Sequence, residues 1–245
     1  MNSIYDLEYK KGLYIDLHLP ESKDFDLLVY FHGGGLTRGS RKGFEVFAKT
    51  LAKRNIATAS VEYRMYPDAK FPDFIEDAAS SIRWLKENVS KYGNCNRFFV
   101  GGSSAGGYIS MMLCFDERYL KAEGLSPSDI AGYIHDAGQP TAHFRVLTEL
   151  GKDSSRIIID ETAPLYFVGT SKEYPPMAFI VSDNDIPCRY EQTMLMVKSL
   201  ECFGHKDKVF VEVMHGGHCE YVEKEDEDGE GILGKVILKF IDKMF

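Results

Sequence analysis

In the stretch Arg97–Leu113, RFFVGGSSAGGYISMML, the Ser104 hydroxyl stands two residues from a glycine on either side, Gly102 and Gly106. Glycines crowded around one small polar side chain mark a place where the backbone bends hard or is approached closely. A strand-like run precedes this GxSxG motif and an amphipathic helical run, GYISMMLCF, follows it. A serine on so sharp a strand-to-helix turn has its hydroxyl held clear of the sheet. The helix behind it aims amide N–H groups and the positive end of its dipole at any oxyanion formed above the serine. Serine is a poor nucleophile alone and needs a base, usually histidine, oriented by a carboxylate. Of seven histidines, His218 is the best placed, in the glycine turn MHGGHCE after the last strand-like run. His215, at the strand end, is the weaker choice. The carboxylate is expected at the end of the preceding strand, where FIVSDNDIPCRYEQT offers Asp183 and Asp185. Periodicity does not choose between them.

Other chemistries fit less well. Neither glycine cluster satisfies GxGxxG and no GxxxxGK[ST] is present, which argues against nucleotide binding. His215, His218, Cys219 and Glu220 resemble a metal set only in composition, because Gly216 and Gly217 spoil the helix that would bring the histidines onto one face. The acidic run EKEDEDGEG lacks the spacing of a calcium loop and reads as a solvated loop. No metal and no cofactor are expected.

These groups need a scaffold that gathers them. The alternation in IYDLEYKKGLYIDLHLP predicts an opening antiparallel pair. DLLVYFHGGG, IATASVEYRM, RFFVGGSS, DIAGYIHDAG, PMAFIVSDND and KVFVEVMHGGH each read as a strand running into a polar or glycine-rich turn. Helical spacing recurs at Phe44, Phe47, Ala48, Leu51 and Ala52, at Phe74, Ala78, Ile82, Leu85 and Val89, and at Ile232, Leu233, Val236, Ile237, Phe240 and Ile241. Strand alternating with helix predicts an α/β fold, a mostly parallel sheet covered on both faces. In such sheets ligands bind beyond the carboxyl ends of the strands, where the turns HGGG, GGSSAGG, SDND and HGGH would meet. The segment 118–176 breaks the rhythm, and the expectation is a small cap inserted over the active edge of one domain spanning residues 1–245.

With 245 residues, 44% hydrophobic and 27% charged, the chain can bury the core of one large α/β domain. A net charge of −8 argues against nucleic acid or an anionic membrane as partner, since either needs a basic face, and favours a small-molecule substrate. No run approaches the length of a membrane span, and no early segment reads as a secretory signal. Five cysteines without CxxC spacing suit reduced thiols. The expectation is a cytoplasmic protein without structural disulfides; its oligomeric state is not readable.

Several segments resemble the α/β-hydrolase superfamily, and within it the esterase branch similar to hormone-sensitive lipase. YFHGGGLTRGS resembles that branch's HGGG signature, VEYRMYPDAKFPDFIEDAASSIRWLKEN its segment leading to the nucleophile strand, and GGSSAGG its GDSAGG elbow. PPMAFIVSDNDIPCRYEQT lines up without a gap on the family's paired prolines, apolar strand, Gly-x-x-Asp and tyrosine-containing helix start, and so places the acid on Asp185. Ser103 stands where the family often has aspartate, and Ser182 where it has glycine. The resemblance implies a Ser104–His218–Asp185 triad, with the N–H groups of Gly33, Gly34 and Ala105 as oxyanion hole and His32 bracing the loop. It also implies a carboxylic-ester hydrolase acting through an acyl-enzyme. The brief amino-terminal part is similar to compact bacterial esterases acting on acetylated or feruloylated carbohydrate. The alternatives are a peptidase or amidase of the same fold, or a non-catalytic protein that keeps the pocket for a ligand.

Overall fold

A computed structural model describes residues 1–245. Strands β1 (Asn2–Lys10), β2 (Leu13–Leu19), β3 (Asp24–Phe31), β4 (Ile56–Val61), β5 (Asn94–Ser103), β6 (Gly132–Asp136), β7 (Met177–Ser182) and β8 (Val209–Met214) form one sheet. Their order is β1-β2-β4-β3-β5-β6-β7-β8. The β1/β2 and β2/β4 pairs are antiparallel, and every pairing from β4 through β3 to β8 is parallel. The inner parallel strands are covered on both faces by helices: β4, β6 and β7 are buried at every residue.

Helices α1 (Glu45–Ala52), α2 (Asp73–Asn88), α3 (Ala105–Phe115), α4 (Glu117–Ala122), α5 (Phe144–Glu149), α6 (Arg189–Cys202) and α7 (Ile232–Met244) complete the chain. The two faces of the sheet carry separate cores. Leu27, Val29 and Phe31 of β3 pack with α2, α3 and α6, while Leu28 and Tyr30 of the same strand pack with α1 and α7. That split is the period-2 alternation of a strand read by two layers.

Two helices depart from the sequence reading. The helix after Ser104 is not amphipathic: all eleven residues of α3 are buried, because it is packed between the sheet and the neighbouring helices and loops. Its polar members are satisfied internally, with the Ser110 hydroxyl on the Gly107 carbonyl and beside His135 Nδ1, and the Tyr108 hydroxyl donating to the Thr162 carbonyl. The second is α6, which carries no regular apolar stripe and was marked in the sequence only at its start. Within 118–176 the chain supplies most of α4, strand β6, the short α5 and two single turns of 3₁₀ helix. No helix is long and apolar enough to cross a membrane.

Candidate active site

Ser104 is the single residue between β5 and α3, with φ 55° and ψ −110°. A non-glycine residue in this region is strained and persists only where its surroundings hold it. Here the Ser104 N–H donates to the Asp136 carbonyl at 2.8 Å, and the Ser104 carbonyl accepts from Tyr108 N–H at 2.9 Å. The flanking glycines let three elements close on this turn. A Cβ at Gly106 would lie 1.9 Å from the Phe31 carbonyl oxygen, and one at Gly102 would lie 2.6 Å from that same atom. The GxSxG spacing is thus a steric requirement of the β3–β5–α3 junction.

The turns after β7 and β8 bring two histidines and two aspartates to the same edge, and they sort cleanly. His218 Nε2 lies 2.8 Å from Ser104 Oγ, and its Nδ1 lies 2.6 Å from Asp185 Oδ1. The Asp185 side chain is 1% exposed and that of His218 23% exposed. Burial pushes the Asp185 carboxyl up, but the hydrogen bond and charge of His218 and the Ile186 N–H outweigh it and hold the group below its ordinary value. His215 instead pairs with Asp183 at 2.7 Å, out in solvent, and Asp183 also accepts from the Gly216 N–H at 3.0 Å. The two histidines of HGGHCE are therefore held by different carboxylates. Ser182 donates its hydroxyl to the Gly217 carbonyl at 2.8 Å and so ties the end of β7 to the His218 turn.

The HGGG loop leaves the end of β3. His32 is buried, stacks on Tyr63 with ring centroids 4.3 Å apart, and places Nδ1 2.8 Å from the Gly33 carbonyl, while the Tyr63 hydroxyl donates to the His32 carbonyl. The ring thus braces the loop. Gly34 has φ 116°, and a Cβ there would meet the Arg38 carbonyl oxygen at 1.9 Å, so only glycine fits. The N–H groups of Gly33, Gly34 and Ala105 donate to no carbonyl of the turns around them.

A cleft of about 990 Å³ opens over these groups, lined by the HGGG loop, Ser104, His218, Phe144, Arg145, Ile186, Val222 and Glu223. Burial and the nearby Glu45 push the Glu223 carboxyl up to about 7. Sequence reasoning did not show that Phe144, Arg145, Val222 and Glu223 line the cleft, nor that Asp136 lies buried beneath the elbow. The only signal for Asp136 was an aspartate at the carboxyl end of the apolar run AGYIHD.

The chain is similar to several known proteins. In Arabidopsis thaliana, probable carboxylesterase 6 is 29% identical over 218 residues, covering 78% of this chain and 62% of that protein. An AB hydrolase superfamily protein of Schizosaccharomyces pombe is 39% identical over 211 residues, covering 76% of this chain and 61% of that protein. The chain spans less than two thirds of the length of these curated relatives. Esterase B of Lactobacillus rhamnosis superposes with a TM-score of 0.80 at 17% identity, covering 99% of this chain and 86% of that one. A propionate-bound esterase of Thermogutta terrifontis gives 0.79 at 19% identity, covering 99% and 94%. The fold is that of the α/β-hydrolases. The BD-FAE family model matches residues 15–200, and with this sheet and this edge behind it the chain belongs to the BD-FAE family.

Proposed function

We propose that this chain is a serine carboxylic-ester hydrolase acting on small acyl esters through Ser104, His218 and Asp185. The observation that carries the reading is the unbroken chain of contacts from Ser104 Oγ to His218 at 2.8 Å and on to Asp185 at 2.6 Å, at the carboxyl edge of the sheet. In the reaction, His218 Nε2 takes the hydroxyl proton as Ser104 Oγ attacks the ester carbonyl carbon. The resulting oxyanion accepts from the N–H groups of Gly33, Gly34 and Ala105; one such donor is worth about 3 kcal/mol of barrier in a comparable site. Collapse breaks the ester C–O bond, and the imidazolium returns its proton to the departing alcohol. Water, deprotonated by the same nitrogen, then releases the acid from the acyl-enzyme. Asp185 stays ionised throughout, fixes the tautomer and stabilises the imidazolium.

Residues 1–245 act in this reading as one catalytic domain, with the segment 118–176 reaching over the active edge as a small cap. Phe144 and Arg145 supply that contact with the cleft. The acyl group is short and the alcohol is a sugar or a simple alcohol: the cleft is lined mainly by polar residues and glycines, and the Thermogutta esterase has been captured with propionate and with butyrate. Five unpaired cysteines suit a reducing compartment, and we place the protein in the cytoplasm, working on a soluble ester without metal, cofactor or nucleic acid. The test is a kcat/KM series for the purified protein on aryl esters of increasing acyl length, beside acetylated xylan oligomers and feruloyl sugars. Acetyl to butyryl esters should lead. Faster turnover of long-chain esters would contradict the small acyl site, and turnover of anilides above esters would move the assignment to an amidase.

A further inference from the structure

We infer that Asp136 is a positioning residue for this reaction, tying the turn that carries the nucleophile to the loop that carries the base. The inference rests on the hydrolase reading above and concerns a side chain that the reaction scheme leaves unused. Asp136 ends β6 and is fully buried. Its main-chain oxygen accepts from Ser104 N–H at 2.8 Å, which holds the strained backbone of the nucleophile. One carboxylate oxygen accepts from the hydroxyl of Ser103, the residue before the nucleophile. The other accepts from the hydroxyl of Tyr221, three residues beyond His218. Because Ser103 gives its proton to Asp136, the buried Tyr30 hydroxyl is the donor to Ser103.

One residue thus makes three hydrogen bonds that bracket the Ser104–His218 contact from both sides. A carboxylate from the adjacent strand lies beside Ser103: Ser103 and Asp136 are register partners in the β5/β6 pairing. No cation forms an ion pair with Asp136, and an uncompensated buried charge is costly. Burial pushes this carboxyl up to about 6, although the Ser103 and Tyr221 hydroxyls and the charge of His218 pull the other way. The groups facing it are Tyr30 from β3, Ser103 from β5, Asp185 after β7, and His218, Cys219 and Tyr221 after β8. Asn would keep the shape and one of the two side-chain acceptors, its NH2 standing where the other hydroxyl donates, so a purely packing role would not require the acid.

The experiment compares the full chain with Asp136→Asn, Asp136→Ala and Tyr221→Phe on p-nitrophenyl acetate from pH 5 to 9. Active sites are counted by phosphonate titration. Asp136→Ala and Tyr221→Phe should lower kcat about tenfold or more with KM within about twofold, because they loosen the geometry of the chemical step. Asp136→Asn should recover much of that loss. It should also change the acid limb of kcat/KM, because it removes the buried carboxyl, titrating at about 6, that faces His218. A limb unmoved in Asp136→Asn, or wild-type kcat per titrated site in both Asp136→Ala and Tyr221→Phe, would overturn the proposal. If Asp136→Ala does not fold, Tyr221→Phe and the Asn pH profile carry the decision. A wild-type protein that phosphonate fails to label would instead sink the hydrolase reading itself.

Discussion

Asp183 and Asp185 each hold a histidine nitrogen, but only the Asp185 pair reaches Ser104. From sequence the two were strand-end acids that periodicity did not distinguish, Asp185 being favoured by its place further past the MAFIV run and by an ungapped family pattern; burial separates them physically, at 45% against 1% side-chain exposure. Losing the carboxylate charge in Asp185→Asn should leave the fold intact and reduce kcat by about 10⁴, the scale of a triad with the wrong imidazole tautomer. Asp183→Asn should cost no more than a few-fold, because an exposed ion pair contributes little to stability. Steady-state kcat for both, with circular dichroism to confirm folding, checks this; a nearly inactive, folded Asp183→Asn beside an active Asp185→Asn would reverse the assignment. Ser104 and His218 were legible because glycine spacing records backbone crowding. Asp136 was not, since nothing local in the chain reveals that a strand-end aspartate is folded under the elbow by its β5 neighbour.

At the scale of elements, the strands were legible and several connections were not. A buried parallel strand announces itself as a short apolar run before a glycine turn, and all eight runs became strands of one sheet. Helix α3 was read as one-sided because its serine, tyrosine and glycines resemble a polar face, whereas tertiary packing covers that face as well. Beyond β6, the stretch up to residue 176 has no periodicity to read because it is mostly turns, with the six-residue α5 within it. That helix matters to the cleft: a Cβ on Gly35 would lie 3.3 Å from Phe144 Cζ, so the ring rests against the HGGG loop. Phe144→Ala should therefore open the acyl or alcohol side and raise kcat/KM for hexanoyl relative to acetyl aryl esters by about tenfold, the worth of one to two methylenes in an apolar pocket. An unchanged chain-length profile would remove α5 from specificity.

Across the whole molecule, the sheet order places β5 between β3 and β6, so the HGGG loop, Ser104 and Asp136 converge at one edge, and the turns after β7 and β8 deliver Asp185 and His218 beside them. This arrangement has a stability signature. The folded Asp136 carboxyl sits at about 6, above the value of about 3.9 for an unfolded aspartate, so the folded state holds this proton more tightly. The sign is opposite to that of a salt-bridged acid: the stability contribution is fully present below about pH 4 and is lost as pH rises through about 6. At pH 8 the ionised group should cost on the order of 3 kcal/mol, which Asp136→Asn avoids. The melting temperature of Asp136→Asn relative to wild type should rise between pH 5 and pH 8, and a constant difference would contradict a buried, titrating carboxyl. The proposed role of Ser104 as nucleophile is tested by covalent labelling with a fluorophosphonate followed by peptide mass spectrometry. One stoichiometric adduct is expected on Ser104, formed by wild type and by Ser103→Ala and absent from Ser104→Ala. An adduct on Ser103, or no adduct from an otherwise folded protein, would contradict it.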